Sequence, residues 1–504
     1  MGSPPPKVVD RNSRRTLGSL RRGGLRAALA AAACAGGLVS SARAQPSGDD
    51  QRRLERALRT SQGNDSDYRL RVDTSLSLAE RTQLDYGGYL SFTALFANTS
   101  ADDSVRLLQP EAVVYGRASI DGVHQFFGRA RFTYRTFSDG DSFDGRGDRF
   151  LEPFLDRYYY EFDLRRAFAA YQGTDSDFNF NVRVGRQFVD YAEGLVLSET
   201  LYAVTPTLEF TRQIRLEGLA GITPDHTIDF DTSRWNFDER TRRGYFGGRL
   251  VYTLPEAQEV YGYILRMVDY TNQDTLRAPL TPVGIVKLAY DATYYGLGTR
   301  GGLGSNFVYA LEGVYEAGRA WSDPLSGPQT REDVQAGAGK ALLAYLPRDE
   351  NATRFEAEFL IATGDADRRN ASATAGASQS GTDDHQFNAL GYANTGLAFA
   401  PSLSNLLSLR LGASTFPLHN TEAFEGLQVG IDGFIFNKLR RQGPVDDFST
   451  DRRFLGGEVD VFANWRVTSD LSLTGRYGVF FPSAGIAGGK SARHFLLFGV
   501  TIGF

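Results

Sequence analysis

The sequence predicts an all-β protein, a transmembrane antiparallel β-barrel of about 18 strands (range 16–20) that forms a single domain. Three observations support this fold class. Apolar and polar residues alternate with period 2 through much of the chain. Many alternating segments run for about 10–13 residues, closer to a tilted membrane-crossing strand than to a strand of a globular sheet. The final segment alternates up to an aromatic last residue, Phe504.

Composition excludes several other classes. The chain has 504 residues, of which 41% are hydrophobic and 12% aromatic. This aromatic content excludes a disordered chain, and the single Cys34 excludes a disulfide scaffold. No stretch of 18 residues is continuously apolar, so helical membrane spans are not predicted. A β-barrel remains compatible with this composition, because half of the residues in each strand face lipid and the other half face water.

The N-terminus predicts export. Residues 1–44 resemble a secretory signal peptide, with an arginine-rich start, a modest apolar core and Ala42-Arg43-Ala44 at the expected cleavage point. Residues 45–66 are polar and are predicted to be a periplasmic N-terminal segment, and residues 67–504 to be the barrel in the bacterial outer membrane. The exported chain would carry 47 basic and 59 acidic residues, a net charge of −12, and no cysteine. A catalytic thiol and a Cys-ligated metal are therefore excluded.

Successive segments place the strands. The alternation is clearest in residues 68–78, 125–135, 157–165, 178–187, 354–361, 458–467 and 494–504. Clusters typical of turns lie between strand candidates, at 138–141, 172–175, 277–279 and 441–444. The longest stretch without alternation, about Gly364–Gln386, is rich in Ala, Ser, Gly and Asp and is predicted to be an extracellular loop. Because single-chain bacterial barrels use even strand numbers, 18 is the expected count.

In a barrel, the polar residues of each alternating strand face the channel, and most basic residues at these positions are arginines. The members are Arg129, Arg131, Arg135, Arg157, Arg165, Arg183, Arg215, Arg249, Arg266, Arg354, Arg410, Arg466 and Arg476. A guanidinium stays ionised and binds carboxylates through paired hydrogen bonds, so a row of them suits the passage of anions. The predicted substrate-binding residues of the lumen are Arg129, Arg131, Arg135, Arg157, Arg183, Arg354, Arg466 and Arg476.

Pairing with acids is the structural alternative for each arginine. Glu161, Glu356 and Glu458 are among the acids that share the polar parity, and cross-strand Arg–carboxylate pairs are a normal way to satisfy inward polar residues. Arg129, Arg131 and Arg135 are the best candidates for substrate contact, since their own strand face carries three bases and no acid.

Several blocks resemble one family. Near the C-terminus, Gly457–Val461, the Asp470-Leu471-Ser472-Leu473 run and Tyr477–Pro482 resemble the end of the alginate export family of outer-membrane barrels. Gly185-Arg186-Gln187 and Thr363-Gly364-Asp365 resemble two further blocks of that family, in the same order along the chain. The resemblance covers about residues 84–504. It implies an 18-stranded monomeric barrel with an arginine-lined lumen that passes anionic polysaccharide or sugar acids.

Catalytic and metal sites are not predicted. The five histidines show no nucleophile or metal spacing, so we expect no enzyme, no cofactor and no metal site. The run Asp139, Asp141, Asp144-Gly145 and Asp148 resembles a calcium loop but lacks the closing Glu. His494 falls on the lipid-facing parity of the last strand, where an interfacial position explains it.

The sequence therefore predicts an outer-membrane channel for passive passage of anionic polysaccharide or sugar acids. The alternatives are a non-conducting structural or adhesive barrel and a porin of other selectivity. Expected partners are the anionic saccharide, outer-membrane lipid and lipopolysaccharide, and the barrel-assembly machinery, through the strand ending in Phe504. A periplasmic export partner is compatible with this function. We expect the protein to be a monomer and not to bind nucleic acid.

Overall fold

The structure is a computed structural model that describes residues 71–98, 104–138, 148–224, 242–270, 287, 289–369, 371, 374, 378–487 and 491–504. The predicted signal peptide, the periplasmic segment and the turn at 277–279 lie outside these residues. So does the calcium-like run, apart from Asp148.

Eighteen antiparallel strands form one closed sheet, which confirms the predicted fold class and strand number. In chain order the strands are β1 (Thr82–Asn98), β2 (Ser104–Ile120), β3 (His124–Phe137), β4 (Arg149–Asp163), β5 (Asn179–Asp190), β6 (Ser198–Glu209), β7 (Ile214–Ile222), β8 (Arg243–Thr253), β9 (Glu259–Asp269), β10 (Tyr290–Leu303), β11 (Phe307–Trp321), β12 (Arg331–Tyr345), β13 (Arg354–Ala362), β14 (Leu406–Thr415), β15 (Leu427–Lys438), β16 (Phe454–Arg466), β17 (Leu471–Pro482) and β18 (Arg493–Gly503). Each strand pairs with its sequence neighbours, and β1 pairs with β18 to close the barrel.

Apolar residues face outward from the barrel and the alternate polar residues face inward, as the alternation in the sequence predicts. On β3, Phe126, Phe132 and Tyr134 are 48%, 39% and 41% exposed and point outward. The alternate residues, such as Arg129 and Thr133, are buried on the inner side. A closed antiparallel barrel with an apolar outer face is the architecture of bacterial outer-membrane proteins, and we assign the chain to that membrane.

The predicted first strand is wrong. The described part of residues 68–78 contains turns, and the described barrel begins at Thr82 rather than at residue 67. Asp73 accepts a hydrogen bond from the backbone N–H of Ser75 at 2.9 Å, and Glu80 accepts one from that of Ser77 at 2.9 Å. Such local side-chain bonds stabilise turns, so alternation alone did not produce a strand here.

The two ends of the barrel differ in their connections. Short turns such as 121–123, 210–213 and 304–306 join strands at one end, and longer loops such as 363–405 and 439–453 join them at the other. This asymmetry orients the short turns toward the periplasm and the long loops toward the outside. The predicted loop at Gly364–Gln386 is therefore part of a longer connection between β13 and β14.

Two periplasmic connections contain helical turns, a 3₁₀ turn at Pro255–Ala257 between β8 and β9 and a longer one between β4 and β5. A four-residue helix, α1 (Leu164–Ala167), continues into a π-helical turn, Phe168–Gln172, which ends at Gly173 with φ of 69°. This end coincides with the predicted turn at 172–175. Arg165, predicted on the lumen wall, lies in α1 and pairs with Glu209 at 2.6 Å. Among the described residues, no helix is both long and apolar enough to span a membrane.

A charged contact holds the start of the barrel to this connection. The Arg81 guanidinium donates to both Asp121 carboxylate oxygens, and the Tyr171 hydroxyl donates to the same carboxylate at 2.9 Å. Hydrogen bonds from Arg81 hold the pKa of Asp121 below its usual range. The ionised form of Asp121 therefore stabilises the fold above the ordinary aspartate pKa, and this contribution disappears as the pH falls through the lowered value.

We expect Asp121→Asn to lower the thermal midpoint by a few degrees at neutral pH, because an amide binds Arg81 less strongly. The difference from the parent protein should shrink as the pH approaches the lowered pKa of Asp121. Circular dichroism melts in detergent across the acidic range measure both quantities. An equal deficit at every pH would contradict the ionic origin of the effect.

Candidate functional site: the channel interior

Two loops fold back into the barrel. Residues 191–197, between β5 and β6, meet the β13–β14 loop through a parallel bridge between Leu197 and Leu390. The Ser198 N–H donates to the Leu390 carbonyl at 3.1 Å. Leu197 is 0% and Leu390 6% exposed. The β13–β14 loop, whose first part is the predicted loop at Gly364–Gln386, starts at the outer end of the barrel and packs into the interior at Leu390.

Wall carboxylates anchor these loops by their backbone. Glu312 accepts from the N–H of Glu193 at 2.9 Å, and Glu316 accepts from the N–H of Asn388 at 3.0 Å. Glu458 accepts from three consecutive N–H groups, 397–399, at 2.6, 2.7 and 2.9 Å. Buried backbone N–H groups need partners, and inward acids on the strands supply them here. These acids serve a structural role that the sequence did not indicate.

Two apolar clusters fill part of the interior. The first includes Tyr191 and Phe387 from the loops and residues of β5 to β13. The second includes Phe399, which stacks on Phe480 at 4.3 Å, and residues of β14 to β18, β1 and β2. Among the described residues, β3 and β4 supply no buried member of either cluster, and only Phe137, at the outer end of β3, packs against the second one. Along the rest of the inner face of these two strands, the loops leave the wall polar.

That polar face, which we call the basic wall, consists of the inward residues of β3 and β4 with Arg183 of β5. Arg129 donates to the Asp156 carboxylate at 2.9 and 2.5 Å, and both side chains are 9% exposed. Arg131 lies 3.1 Å from Asp156 and 3.5 Å from Glu111. The Arg135 Nε–H donates to Gln109 at 3.1 Å. The basic wall therefore brings three predicted site residues to one place.

The face of β3 itself carries no acid, but acids from the neighbouring strands lie beside its arginines, as the pairing alternative predicts. Asp156 stands at a bulge of β4, between the pairs Arg129–Arg157 and Ala130–Leu155, so it comes to lie beside Arg129. Glu111 comes from the neighbouring β2. Acids on adjacent strands and at bulges are invisible when one strand is considered alone.

The other two predicted residues nearby complete the wall. Arg183 pairs with Glu161 at 2.6 Å, and its guanidinium lies 4.4 Å from the centre of the Tyr159 ring. Arg157 is 5% exposed, and its guanidinium lies 5.4 Å from the centre of the Phe188 ring. Five of the eight predicted residues thus lie on three adjacent strands.

The remaining three lie on a different part of the barrel. Arg354 on β13 pairs with Glu356. Arg466 and Arg476 belong to β16 and β17, with Arg466 exposed at the periplasmic end. The structure does not bring them together with the basic wall.

The alternation pattern assigned one strand arginine to the wrong face of the barrel. Arg266 of β9 pairs in register with Phe246, whose side chain is 46% exposed on the outer face, and donates to the Thr293 hydroxyl at 2.9 Å. It therefore faces outward, whereas the sequence placed it in the lumen. The prediction for His494 fits the structure, because its ring lies beside outward-facing Tyr477, 2.8 Å from the hydroxyl.

Two interior groups lie outside the eight predicted site residues. The first surrounds Arg410, which the sequence placed on the channel face and which lies among Glu356, Glu358 and Asp432, at 2.9, 3.6 and 2.9 Å. The second group is aromatic, Tyr115, Phe127 and Tyr159, and faces the channel on the polar parity. Aromatic residues on that parity were the available signal. Among the described residues, no group of three His, Cys, Asp or Glu side chains could hold a metal ion.

Comparison with protein-family models and with curated proteins finds no match. Among solved structures, the chain is similar to OccK9 (OpdG) of Pseudomonas aeruginosa, at 10% identity and a TM-score of 0.49, covering 85% of this chain and 100% of that one. A BenF-like porin from Pseudomonas fluorescens Pf-5 has 11% identity and a TM-score of 0.49, covering 84% and 99%. Pseudomonas aeruginosa OpdK with vanillate has 10% identity and a TM-score of 0.49, covering 83% and 98%. The fold itself rests on the closed strand pairing.

Proposed function

We propose that the protein is a passive outer-membrane channel for small anionic solutes, such as sugar acids, which pass along the basic wall. The observation that carries the proposal is that, among the described residues, β3 and β4 supply no buried member of either apolar cluster, with Phe137 at the outer end of β3 as the one residue packed against them. Solute can therefore meet the partly exposed Arg131 and Arg135 where the loops leave the wall polar, while Arg129 is buried behind them against Asp156. The proposal includes no catalytic step and no cofactor.

Pairing with acids leaves the arginines able to bind solute. A guanidinium has five N–H donors, and a carboxylate pair uses two of them. The Arg131 side chain is 20% exposed, against 11% for its partner Glu111. An anion can therefore share a guanidinium with a wall acid and move on by exchanging contacts. Weak binding at several positions is what conduction requires.

The packed interior supports a small solute rather than a polymer. The resemblance to the alginate export family implies either anionic polysaccharide or sugar acids, and no family model matches the chain. The β13–β14 loop packs within the barrel, with Phe387 and Phe399 buried in the two clusters. A narrowed interior supports single sugar acids over a polysaccharide. Without a polymer, the function needs no periplasmic export partner, and the other proposed partners remain lipid, lipopolysaccharide and the assembly machinery.

Planar-bilayer recording tests the selectivity. We expect the parent channel to be anion-selective at about 0.1 M KCl, where screening still permits local fields to act. Arg131→Gln combined with Arg135→Gln should lower the anion-to-cation permeability ratio by about two-fold or more. Glu111→Gln should raise the ratio, because it removes an acid that lies 3.5 Å from Arg131.

Arg266→Gln is the matched control. It makes the same type of substitution once, on the outer face, and should leave the reversal potential unchanged. Cation selectivity in the parent channel that is insensitive to the double substitution would overturn the proposal.

A non-conducting barrel is the second candidate. It is favoured by the carboxylate anchors, because Glu312, Glu316 and Glu458 hold the loops inside the barrel. Correctly folded protein that produces no conductance steps would establish this function and refute the channel.

A further inference from the structure

Basic side chains face the lipid on one sector of the barrel, at the end that carries the long loops. Arg319, near the end of β11, shares the outward face of Tyr315, which is 49% exposed. Trp321, two residues further on, faces the same way and pairs in register with Arg331 of β12. Arg266 of β9 also faces outward on this sector. Lipid-facing charges are costly in a barrel unless they reach the polar headgroups, so these residues mark the headgroup level of the outer leaflet.

Trp321 is the centre of this sector. The Lys287 ammonium lies 4.1 Å and the Arg331 guanidinium 5.6 Å from the centre of the Trp321 ring. The Arg331 guanidinium also donates to the carbonyl of Arg319 at 3.4 Å and to the Asp291 carboxylate. Tryptophan is typical of the boundary between hydrocarbon and headgroups. The residues Lys287, Arg319, Trp321 and Arg331, which we call the outer basic patch, therefore lie together at that boundary.

Acids neutralise the outer basic patch only in part. Arg331 pairs with Asp291, and the Arg319 Nε–H donates to Asp333 at 2.9 Å. Three cations against these two acids leave a net charge of +1. Among the described residues, the Lys287 ammonium has no acidic partner, and the terminal nitrogens of Arg319 have no acceptor. The Arg319 side chain is 67% exposed, so its free N–H donors can reach a ligand.

An apolar surface lies below the outer basic patch, toward the periplasm. On the outward face of β10 and β11, Tyr295, Leu297 and Leu311 are 47%, 74% and 45% exposed. Arg266 lies beside this surface and donates to the Thr293 hydroxyl at 2.9 Å, without an acidic partner among the described residues. A lipid with acyl chains and a negatively charged headgroup matches both parts, because its chains cover the apolar surface while its charge reaches the cations.

Another part of the barrel wall shows that outward charges are not a general feature of this protein. On β14 to β18, the outward residues near the outer end include Asn437, Phe481 and His494. Within these five described strands, no outward residue is Asp, Glu, Lys or Arg. The wall can therefore face lipid without charges, and the cations of β9 to β12 mark one sector of it.

We propose that the outer basic patch binds a phosphate group of lipid A, the phosphorylated glycolipid part of lipopolysaccharide in the outer leaflet. The phosphate lies on Arg319 and Lys287, and the acyl chains cover Leu297 and Leu311. A guanidinium offers paired N–H donors to phosphate oxygens, and an ammonium adds a compact charge. This site concerns the face of the barrel opposite to the channel and does not depend on what the channel conducts.

Native mass spectrometry of the detergent-solubilised protein tests the site with purified lipid A as the probe. EDTA is present, so that divalent cations cannot bridge a phosphate to Asp291 or Asp333. We expect the parent protein to retain lipid A and to bind lipid A without phosphates much more weakly. A basic residue near an anionic lipid surface contributes about five-fold in affinity, so Arg319→Gln combined with Lys287→Gln should weaken binding by about 30-fold.

Two comparisons separate the patch from general surface charge and from damage. Arg319→Gln alone should weaken binding by about five-fold. Its matched control is Arg106→Gln, because Arg106 lies at the same end of the barrel and shares the outward face of β2 with Leu108, which is 43% exposed. This control should bind lipid A like the parent protein. Arg319→Lys combined with Lys287→Arg keeps both charges and should retain most of the binding.

Equal losses in Arg106→Gln and Arg319→Gln would show that lipid A responds to surface charge in general, and would overturn the site. Undiminished binding of dephosphorylated lipid A by the parent protein would overturn the role of the phosphate. All variants should keep the conductance and reversal potential of the parent channel, because the patch lies outside the channel. A parent protein that binds lipid A but does not conduct would refute the proposed function and leave this site intact.

Discussion

Glu458→Ala is expected to raise the single-channel conductance several-fold, the largest change we expect from one side chain. The buried Glu458 carboxylate accepts from the N–H groups of Leu397, Ala398 and Phe399. Each hydrogen bond to a charged group contributes roughly 1.5–3 kcal/mol, and the alanine variant leaves three buried donors without this acceptor. The adjoining Gly396 has φ of 91°, and a Cβ there would lie 2.6 Å from Glu458, so the loop is shaped to this carboxylate.

Release of the β13–β14 loop from the barrel wall can be measured by conductance steps in planar bilayers and by limited proteolysis of the loop. Asn464→Ala is the matched control, because Asn464 lies on the same strand and inner face but its described hydrogen bond is to Gln428, at 3.4 Å. Unchanged conductance and unchanged protease resistance in Glu458→Ala would show that the loop is held by its apolar contacts.

Arg368→Ala is expected to disorder the β13–β14 loop from within while the barrel stays folded. Arg368 and Asp384 form an ion pair at 3.1 Å, and both side chains are 0% exposed. Removing one partner of a buried pair costs about 3–5 kcal/mol, because the other charge stays buried. The loop should therefore become sensitive to protease, and the channel should become noisier and wider.

The neighbouring Arg369 supplies the control. Its side chain is 53% exposed and lies 3.2 Å from Asp323, so Arg369→Ala should have a small effect. Burial raises the pKa of Asp384 and the Arg368 charge opposes that shift, so the defect of Arg368→Ala should lessen at lower pH as Asp384 takes up a proton. A defect equal to that of Arg369→Ala would contradict the importance of the buried pair.

Strand number, closure and parity were predictable because period 2 directly reports which side of a strand meets lipid. Phe126 and Arg129 lie on the faces that their parity predicts. The alternation pattern predicted a strand wrongly at Asp73 and Ser75, where local hydrogen bonds form a turn instead. It also predicted the wrong face for Arg266, a charged residue on the otherwise apolar outer side. Both errors arise because the pattern is an average over a strand.

The candidate site was predictable only in part. Five arginines of the basic wall were found, together with Glu161, the partner of Arg183, but the acids beside Arg129 and Arg131 come from β2 and from the bulge at Asp156, which depend on register. The inward course of the β13–β14 loop depends on contacts between distant segments, such as Glu458 with residues 397–399. Long-range contacts of this kind leave no periodic signal in the chain.

Because β3 and β4 supply no buried member of either apolar cluster, their inner face bears on how the protein can diversify. Substitutions on the inner face of most other strands disturb packed loops and should be tolerated as poorly as changes in the core of a globular domain. Apart from Phe137, substitutions on the inner face of β3 and β4 alter what solute meets without disturbing that packing. Two adjacent strands can thus acquire new specificities while the other sixteen preserve the fold.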